Sequence, residues 1–437
     1  MKYELKDNQP VASNIASKGL IKEISDQNLA ALTNQGVLSF PAALKSSPDL
    51  SASDSYLITH YKGQLWTTNI VGFLSIRTSQ LEIGLRVDSS QNQFFLRYMI
   101  YRALHLNLSS ELGLNIGKMT GTKILAMFIP ALLNKAMQAG IYKEYENKQF
   151  NDYQLHGAID VKRQLKVNVP FVGKFATNGH QFTRDTELLE LIRHALEAIK
   201  ADVNLRNLLN RDQTIRKNVA LIVANTPNYQ LKNRQKVIAQ SKKIQLRNNY
   251  FLNYLPLIRI CRAFLEGTEL QQGSKSILNG ILIDAAWLFE EYIGAVIEEN
   301  FVHSHNKIGQ DKQYLFKDRV DKGLIYPDYL KKGEIQVPVD AKYKFPEGIA
   351  SHDRLQMMAY MLRFQSNRGV LIHLSGTDVA VSDTVQIEGQ YVDDESRPQV
   401  TEYGIGVSQA GQWEQFLMDM HKQEKQLCQF LSGFTTY

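Results

Sequence analysis

Hydrophobic and polar positions change their period along the chain and divide it into three regions. Up to about residue 120 the pattern is that of strands. In Leu81-Glu82-Ile83-Gly84-Leu85-Arg86-Val87 apolar positions alternate with polar or small ones, as in a half-buried strand, and Ile70-Val71-Gly72-Phe73-Leu74 precedes it. A helix is expected from Phe94 to Leu104, so residues 1–120 read as a small β-rich domain. Residues 121–270 turn helical: Ile124-Leu125-Ala126-Met127-Phe128-Ile129 runs up to Pro130, and Leu188, Leu189, Ile192, Leu196 and Ile199 recur at helical spacing. Asp185 stands before that last run as its candidate cap. In residues 271–437, Leu278, Ile281, Leu282, Ala285, Leu288, Phe289, Tyr292, Ile293 and Val296 trace one long amphipathic helix, with hairpin-like segments and another helix after it. No internal repeat or low-complexity linker is present, and the fold class expected is α+β multidomain.

With 437 residues, 44% of them hydrophobic and 22% charged, the chain has the composition of a folded globular protein. No apolar run approaches the roughly 18 residues of a membrane span. The start, Met1-Lys2-Tyr3-Glu4-Leu5-Lys6-Asp7, lacks the apolar core of a secretory signal, so a cytoplasmic location is expected. Cys261 and Cys428 are far apart without a CxxC partner and offer neither a disulfide framework nor a zinc finger. The net charge of +6 is modest, but Lys232, Arg234, Lys236, Lys242, Lys243 and Arg247 fall in a stretch free of acidic residues. Counterion release rewards such a surface on DNA phosphates, while a solvated helix face is the other reading.

The chemistry concentrates in the third region. Leu324-Ile325-Tyr326-Pro327-Asp328 leads through a turn into Ile335-Gln336-Val337-Pro338-Val339-Asp340-Ala341-Lys342-Tyr343-Lys344. On a strand, Asp340 and Lys342 face one side and Val339 and Ala341 the other, and a hairpin can return Asp328 to the side of Asp340. Two carboxylates and an ammonium converging in this way suit a hard divalent cation such as Mg²⁺, which activates water for phosphodiester hydrolysis. A turn aspartate and a surface salt bridge are the alternative. Glu290 on the preceding helix can add a carboxylate, and Gln356 and Tyr360, four apart on the following helix, can face the same place. In that following helix Leu355, Met358, Ala359 and Leu362 form the expected packing stripe, and Val370 to Leu374 a buried strand. The order helix, hairpin, helix, strand is that of a PD-(D/E)xK nuclease core. His303-Ser304-His305 has no third ligand nearby in sequence and reads as surface.

These residues resemble the McrC family, the nuclease subunits of McrBC-type and LlaJI-like restriction systems. The resemblance rests on Leu288-Phe289-Glu290, Pro327-Asp328, Asp340-Ala341-Lys342-Tyr343-Lys344 and Asp353 through Gln356 to Tyr360. In the middle region it rests on Gly157 to Arg163, Pro170-Phe171 and Phe182 to Glu187. Two departures stand out: Leu85-Arg86 follows Leu81-Glu82-Ile83 where the family usually has Pro-Lys, and Pro338 interrupts the approach to the catalytic strand, which asks for an edge or a bulge. The resemblance implies a metal-dependent endonuclease acting on double-stranded DNA with Mg²⁺ or Mn²⁺. Asp328, Asp340 and Glu290 would hold the metal, with Lys342 and Gln356 beside it. It also implies a McrB-like AAA+ NTPase ring, usually a GTPase, on which the N-terminal β-domain docks and whose hydrolysis it stimulates. The sequence does not place the residues that stimulate it, and Arg77 and Arg86 are no more than guesses. The chain has no GxxxxGK[ST] phosphate loop of its own. A stand-alone repair nuclease and a non-catalytic DNA-binding adaptor are the alternatives.

Overall fold

The computed structural model describes residues 2–433 apart from 26, 36, 42–55, 77–78, 89–92, 104–120, 211, 247, 271–277, 304–312, 318–322, 334–335 and 392–396. The chain forms two compact units. One holds the described residues of 1–124 and 275–437, and the other those of 125–274. The first and third regions of the sequence, expected as separate domains, thus belong to one unit.

What joins them is a strand. The N-terminal sheet has the order Lys2–Lys6, Ser79–Gly84, Ile70–Ile76, Leu278–Asp284, Leu38–Phe40. Leu278–Asp284 runs antiparallel to Ile70–Ile76 on one side and parallel to Leu38–Phe40 on the other. Leu81 and Ile83, the apolar positions of the alternating stretch, pack with Ile70, Leu74 and Leu282 against Ile21, Ile24, Leu29 and Leu32 from helices Gly19–Ser25 and Leu29–Asn34. Gly72 has φ +137°, and a Cβ there would lie 2.0 Å from the Ile281 carbonyl oxygen, so only glycine allows this approach.

The long helix expected from Leu278 to Val296 is therefore corrected. Its first part is the strand Leu278–Asp284, and the helix is Ala285–Ile297. A short continuous apolar run such as Ile281-Leu282-Ile283 suits a strand buried between two neighbours as well as a helix, and periodicity cannot separate them. Asp284 makes the switch: its Oδ1 accepts hydrogen bonds from the Ala286 and Trp287 backbone N–H groups and caps the helix.

A second sheet of six strands has the order Phe301–His303, Tyr329–Lys331, Pro338–Ala341, Arg368–Leu374, Gln399–Ile405, Val381–Gln386. Tyr329–Lys331 and Pro338–Ala341 are the expected hairpin, antiparallel, with Tyr329 opposite Val339. Pro338 is the first residue of its strand, and the parallel pairing with Arg368–Leu374 begins only at Val339, so the proline removes no ladder bond on that side. Helix Ser351–Phe364 lies on this sheet, but on a different face from the one expected. Leu355 and Leu362 are 62% and 74% exposed, and Met357, Tyr360 and Met361 are buried against Leu371 and Val400. Gly369 decides the rotation, since its missing side chain leaves room for the Met357 and Met361 sulfurs.

The second unit carries helices Glu187–Ala201, Gln213–Ala224, Arg234–Ser241 and Tyr254–Leu270. Helix Gly121–Met137 runs through Pro130. The unit also holds a three-stranded antiparallel sheet, Glu144–Asp152, Phe175–Thr183 and Ala158–Ile159, within a region expected to be mainly helical. Its strands lack a buried face of alternating apolar residues: Tyr145, Ile159 and Phe182 are exposed, so the usual signal is absent. The cap of helix Glu187–Ala201 is also corrected. Thr186, whose hydroxyl accepts from Leu189 N, fills the position assigned to Asp185.

Candidate active site

The hairpin register sets the centre of the site. With Tyr329 opposite Val339, Asp328 falls beside Asp340, and its Oδ2 accepts a hydrogen bond of 2.8 Å from the Ala341 backbone N–H. The two carboxyl groups share a hydrogen bond. Burial raises the pKa of Asp328 well above the ordinary carboxylate value, and the charges of Asp340 and Glu290 raise it further. Burial raises Asp340 as well, against the opposing pull of Lys342. A pair of carboxyls forced together in this way has no role in a hydrophobic core.

Lys342 stands where the strand period puts it. Its Nζ lies 2.5 Å from Asp340 Oδ2 and donates to Gln356 Oε1 at 3.2 Å. Burial opposes its charge, but Asp340 and Asp328 hold its pKa above the ordinary lysine value. Gln356 in turn donates from Nε2 to the Tyr360 hydroxyl at 2.7 Å, and Tyr360 donates to the Tyr326 carbonyl at 2.9 Å. The helix bearing Gln356 is pinned at its start by Asp353, whose Oδ2 accepts from Lys344 Nζ at 2.7 Å and from Ala350 N at 2.9 Å.

Glu290 lines the same cavity but is turned aside. Its Oε1 lies 3.2 Å from His303 Nε2, and its backbone carbonyl accepts from the Tyr329 hydroxyl. His303, expected as surface, is half-buried against Glu290 and the Tyr329 ring. The cavity, of about 780 Å³, is lined by Asp284, Trp287, Glu290, Asp328 and Lys342, and by Arg86 from the far end of the chain. His303 and Arg86 are distant in sequence from the motif, and no local pattern marks them. Among the described residues, no three acidic, imidazole or thiol side chains stand close enough together to hold a metal alone.

Of the residues read as a DNA contact, Lys232, Lys236, Lys242 and Lys243 are exposed, on the turn Leu231–Asn233 or in and after helix Arg234–Ser241. Arg234 is half-buried and hydrogen-bonded to Tyr229, and Lys242 Nζ lies 3.4 Å from Glu266. Arg247 lies outside the described residues, as does Arg77. Arg86, the other candidate for stimulating a partner, is engaged within its own unit: Nη2 donates to the Tyr343 carbonyl at 3.2 Å and Nη1 lies 3.8 Å from Asp7 Oδ2.

The family model described as McrBC 5-methylcytosine restriction system component matches residues 65–373, and the chain belongs to that family. No curated protein matches it. Among solved structures, a chain from the refined half-complex of a tetradecameric assembly of Thermococcus gammatolerans McrB AAA+ hexamers with bound McrC is similar over 98% of this chain and 100% of its own, at 16% identity and a TM-score of 0.52. A chain from the cryo-EM structure of the Thermococcus gammatolerans McrBC complex matches 69% of this chain and 88% of its own, at 16% identity and a TM-score of 0.33. The first likeness is one of fold. Among the described residues no helix is long and apolar enough to cross a membrane.

Proposed function

We propose that the chain is the metal-dependent DNA endonuclease subunit of a McrBC restriction system, and that its six-stranded sheet and flanking helices are a PD-(D/E)xK core. Assembled with a McrB-like AAA+ NTPase ring, whose hydrolysis it stimulates, it hydrolyses phosphodiester bonds. The observation that carries this reading is the convergence of Asp328, Asp340 and Lys342, two carboxyls held together against burial and mutual repulsion.

The donor set fits Mg²⁺, which binds through one or two carboxylates and keeps waters or phosphate oxygens as its other ligands. Asp328 and Asp340 would hold it, with Glu290 joining directly or through water. Bound there, Mg²⁺ supplies Lewis-acid polarisation of the phosphodiester and lowers the pKa of the attacking water. The protein's part is positioning and charge. Lys342, kept protonated by Asp340, places an ammonium where negative charge grows on the phosphate. Gln356 fixes that ammonium, and Tyr360 fixes Gln356.

The test is DNA cleavage by the assembled complex with Mg²⁺ titrated from zero. Asp340→Ala and Lys342→Ala should each lower cleavage at least 100-fold, on the order expected for a metal ligand or a charge-stabilising donor. Circular dichroism and co-purification with the ring should be unchanged. Full cleavage by Asp340→Ala would sink the nuclease reading, and a loss of cleavage that comes only through unfolding would favour a scaffold.

A further inference from the structure

The cavity lined by Asp328 is bordered by residues that flank the strands of the N-terminal sheet. Asn8, Asn69 and Arg86, all from the N-terminal region, line it together with Asp328 and Lys342. The cations on its wall differ in how their charge is used. Lys342 and Lys344 stand in ion pairs of 2.5 and 2.7 Å with Asp340 and Asp353. Arg86 Nη1 is paired with the buried carboxylate of Asp7 at the longer distance of 3.8 Å, its backbone N–H donates to Asp7 Oδ1, and among the described residues its buried Nε has no hydrogen-bond partner. Its remaining contacts are neutral: the Tyr343 carbonyl, and the faces of Tyr343 and Phe345 at 5.1 and 5.0 Å.

We propose that Arg86 binds a DNA phosphate next to the scissile one, so that the N-terminal sheet supplies part of the nuclease cleft. The proposal rests on the nuclease reading and deepens it. Asp284, Glu290 and Asp328 face the same cavity, and an approaching polyanion needs a cation there with donors to spare; Arg86, whose ion pair is the longest of the three, has them. A guanidinium suits the task, because its planar fork matches two phosphate oxygens at once. Its position is set in advance. Tyr343 and Phe345, whose rings it faces, follow closely after Asp340 and Lys342 in the chain, so the arginine is held at a fixed offset from the proposed cutting site.

The experiment is fluorescence anisotropy of a short labelled DNA duplex with the full chain in Ca²⁺, across a series of KCl concentrations. Arg86→Gln keeps a donor for the Tyr343 carbonyl but removes the charge, and should flatten the plot of log affinity against log salt by about 0.9. Arg86→Lys keeps the charge without the fork, and should leave the slope in place while weakening affinity several-fold. An unchanged slope in Arg86→Gln with a lower melting temperature makes Arg86 a strut and overturns the proposal. So does Arg86→Lys binding as tightly as the unaltered chain, or an unaltered chain with no salt-dependent binding. Cleavage by the assembled complex keeps the two readings apart. If it depends on Asp340 while the Arg86→Gln slope stays put, only the present proposal falls. If Asp340→Ala still cuts, the nuclease reading falls with it.

Discussion

Side-chain charge governs the site, and it acts against stability. Asp328 is held ionisable beside Asp340 at a cost that burial and like charge both impose. Asp328→Asn keeps an acceptor for the Ala341 N–H and removes the repulsion, so in EDTA at pH 8 it should melt several degrees higher than the unaltered chain while cleavage disappears. A lower melting temperature would mean the two carboxyls are not in conflict. His194 provides a test away from the site. It is 1% exposed, neither ring nitrogen has a hydrogen-bond partner among the described residues, and burial with Arg234 and Arg193 nearby lowers its pKa from 6.5 to about 4. A histidine kept neutral in the fold gives stability that is complete above 6.5 and is lost as the pH falls toward 4. The loss should be on the order of 2–3 kcal/mol. His194→Leu should remove that part of the acid transition when melts are compared between pH 7 and 4.5, and identical transitions would refute the assignment. At this scale the sequence is readable wherever the strand period alone sets direction. Asp340, Lys342 and Asp328 meet because two-residue spacing and a hairpin leave little choice, and Gln356 joins them by helical spacing from Tyr360. His303 and Arg86 stay hidden, since their places depend on strands brought in from elsewhere.

Elements are legible when their pattern matches a single environment. The strand at Ser79–Gly84 has one face in the core and one outside, and it reads correctly. Leu278–Asp284 is covered on both edges and reads as a helix. The sheet of Glu144–Asp152 and Phe175–Thr183 places its aromatics outside and gives no alternation to read. Helix Ser351–Phe364 shows the third case, in which a missing side chain at Gly369, not the helix's own pattern, selects the buried face. The basic segment belongs to this scale too. Arg234 is tied to Tyr229 within its own unit, which leaves Lys232, Lys236 and Lys243 as the exposed cations to test. Neutralising these three should weaken DNA affinity for every sequence and reduce the salt slope by about 0.9 for each phosphate that a lysine no longer neutralises. An unchanged slope returns the segment to a solvated surface.

Under the proposed function, the control of cutting belongs to the whole molecule. Leu278–Asp284 pairs with the N-terminal strands and leads directly into helix Ala285–Ile297, which carries Glu290. This continuity could not be read from the sequence, where about 200 residues, most of them in the other unit and long enough to form a separate domain, lie between the paired strands. It bears on how the proposed nuclease is restrained. The chain has no GxxxxGK[ST] phosphate loop and a net charge of only +6, so the proposed function leaves site choice to the partner. Under the proposed function, docking on a ring already bound to DNA raises the local concentration of the cutting site and makes the partner a condition of cleavage. The isolated chain with Mg²⁺ should therefore leave plasmid DNA intact, methylated or not, and cutting should appear only when ring, nucleotide and metal are present together. Omitting nucleotide from the full mixture should abolish it. The assay is plasmid linearisation under each single omission, and brisk cutting by the chain alone would mean that the active site is complete without assembly and would identify a free-standing nuclease.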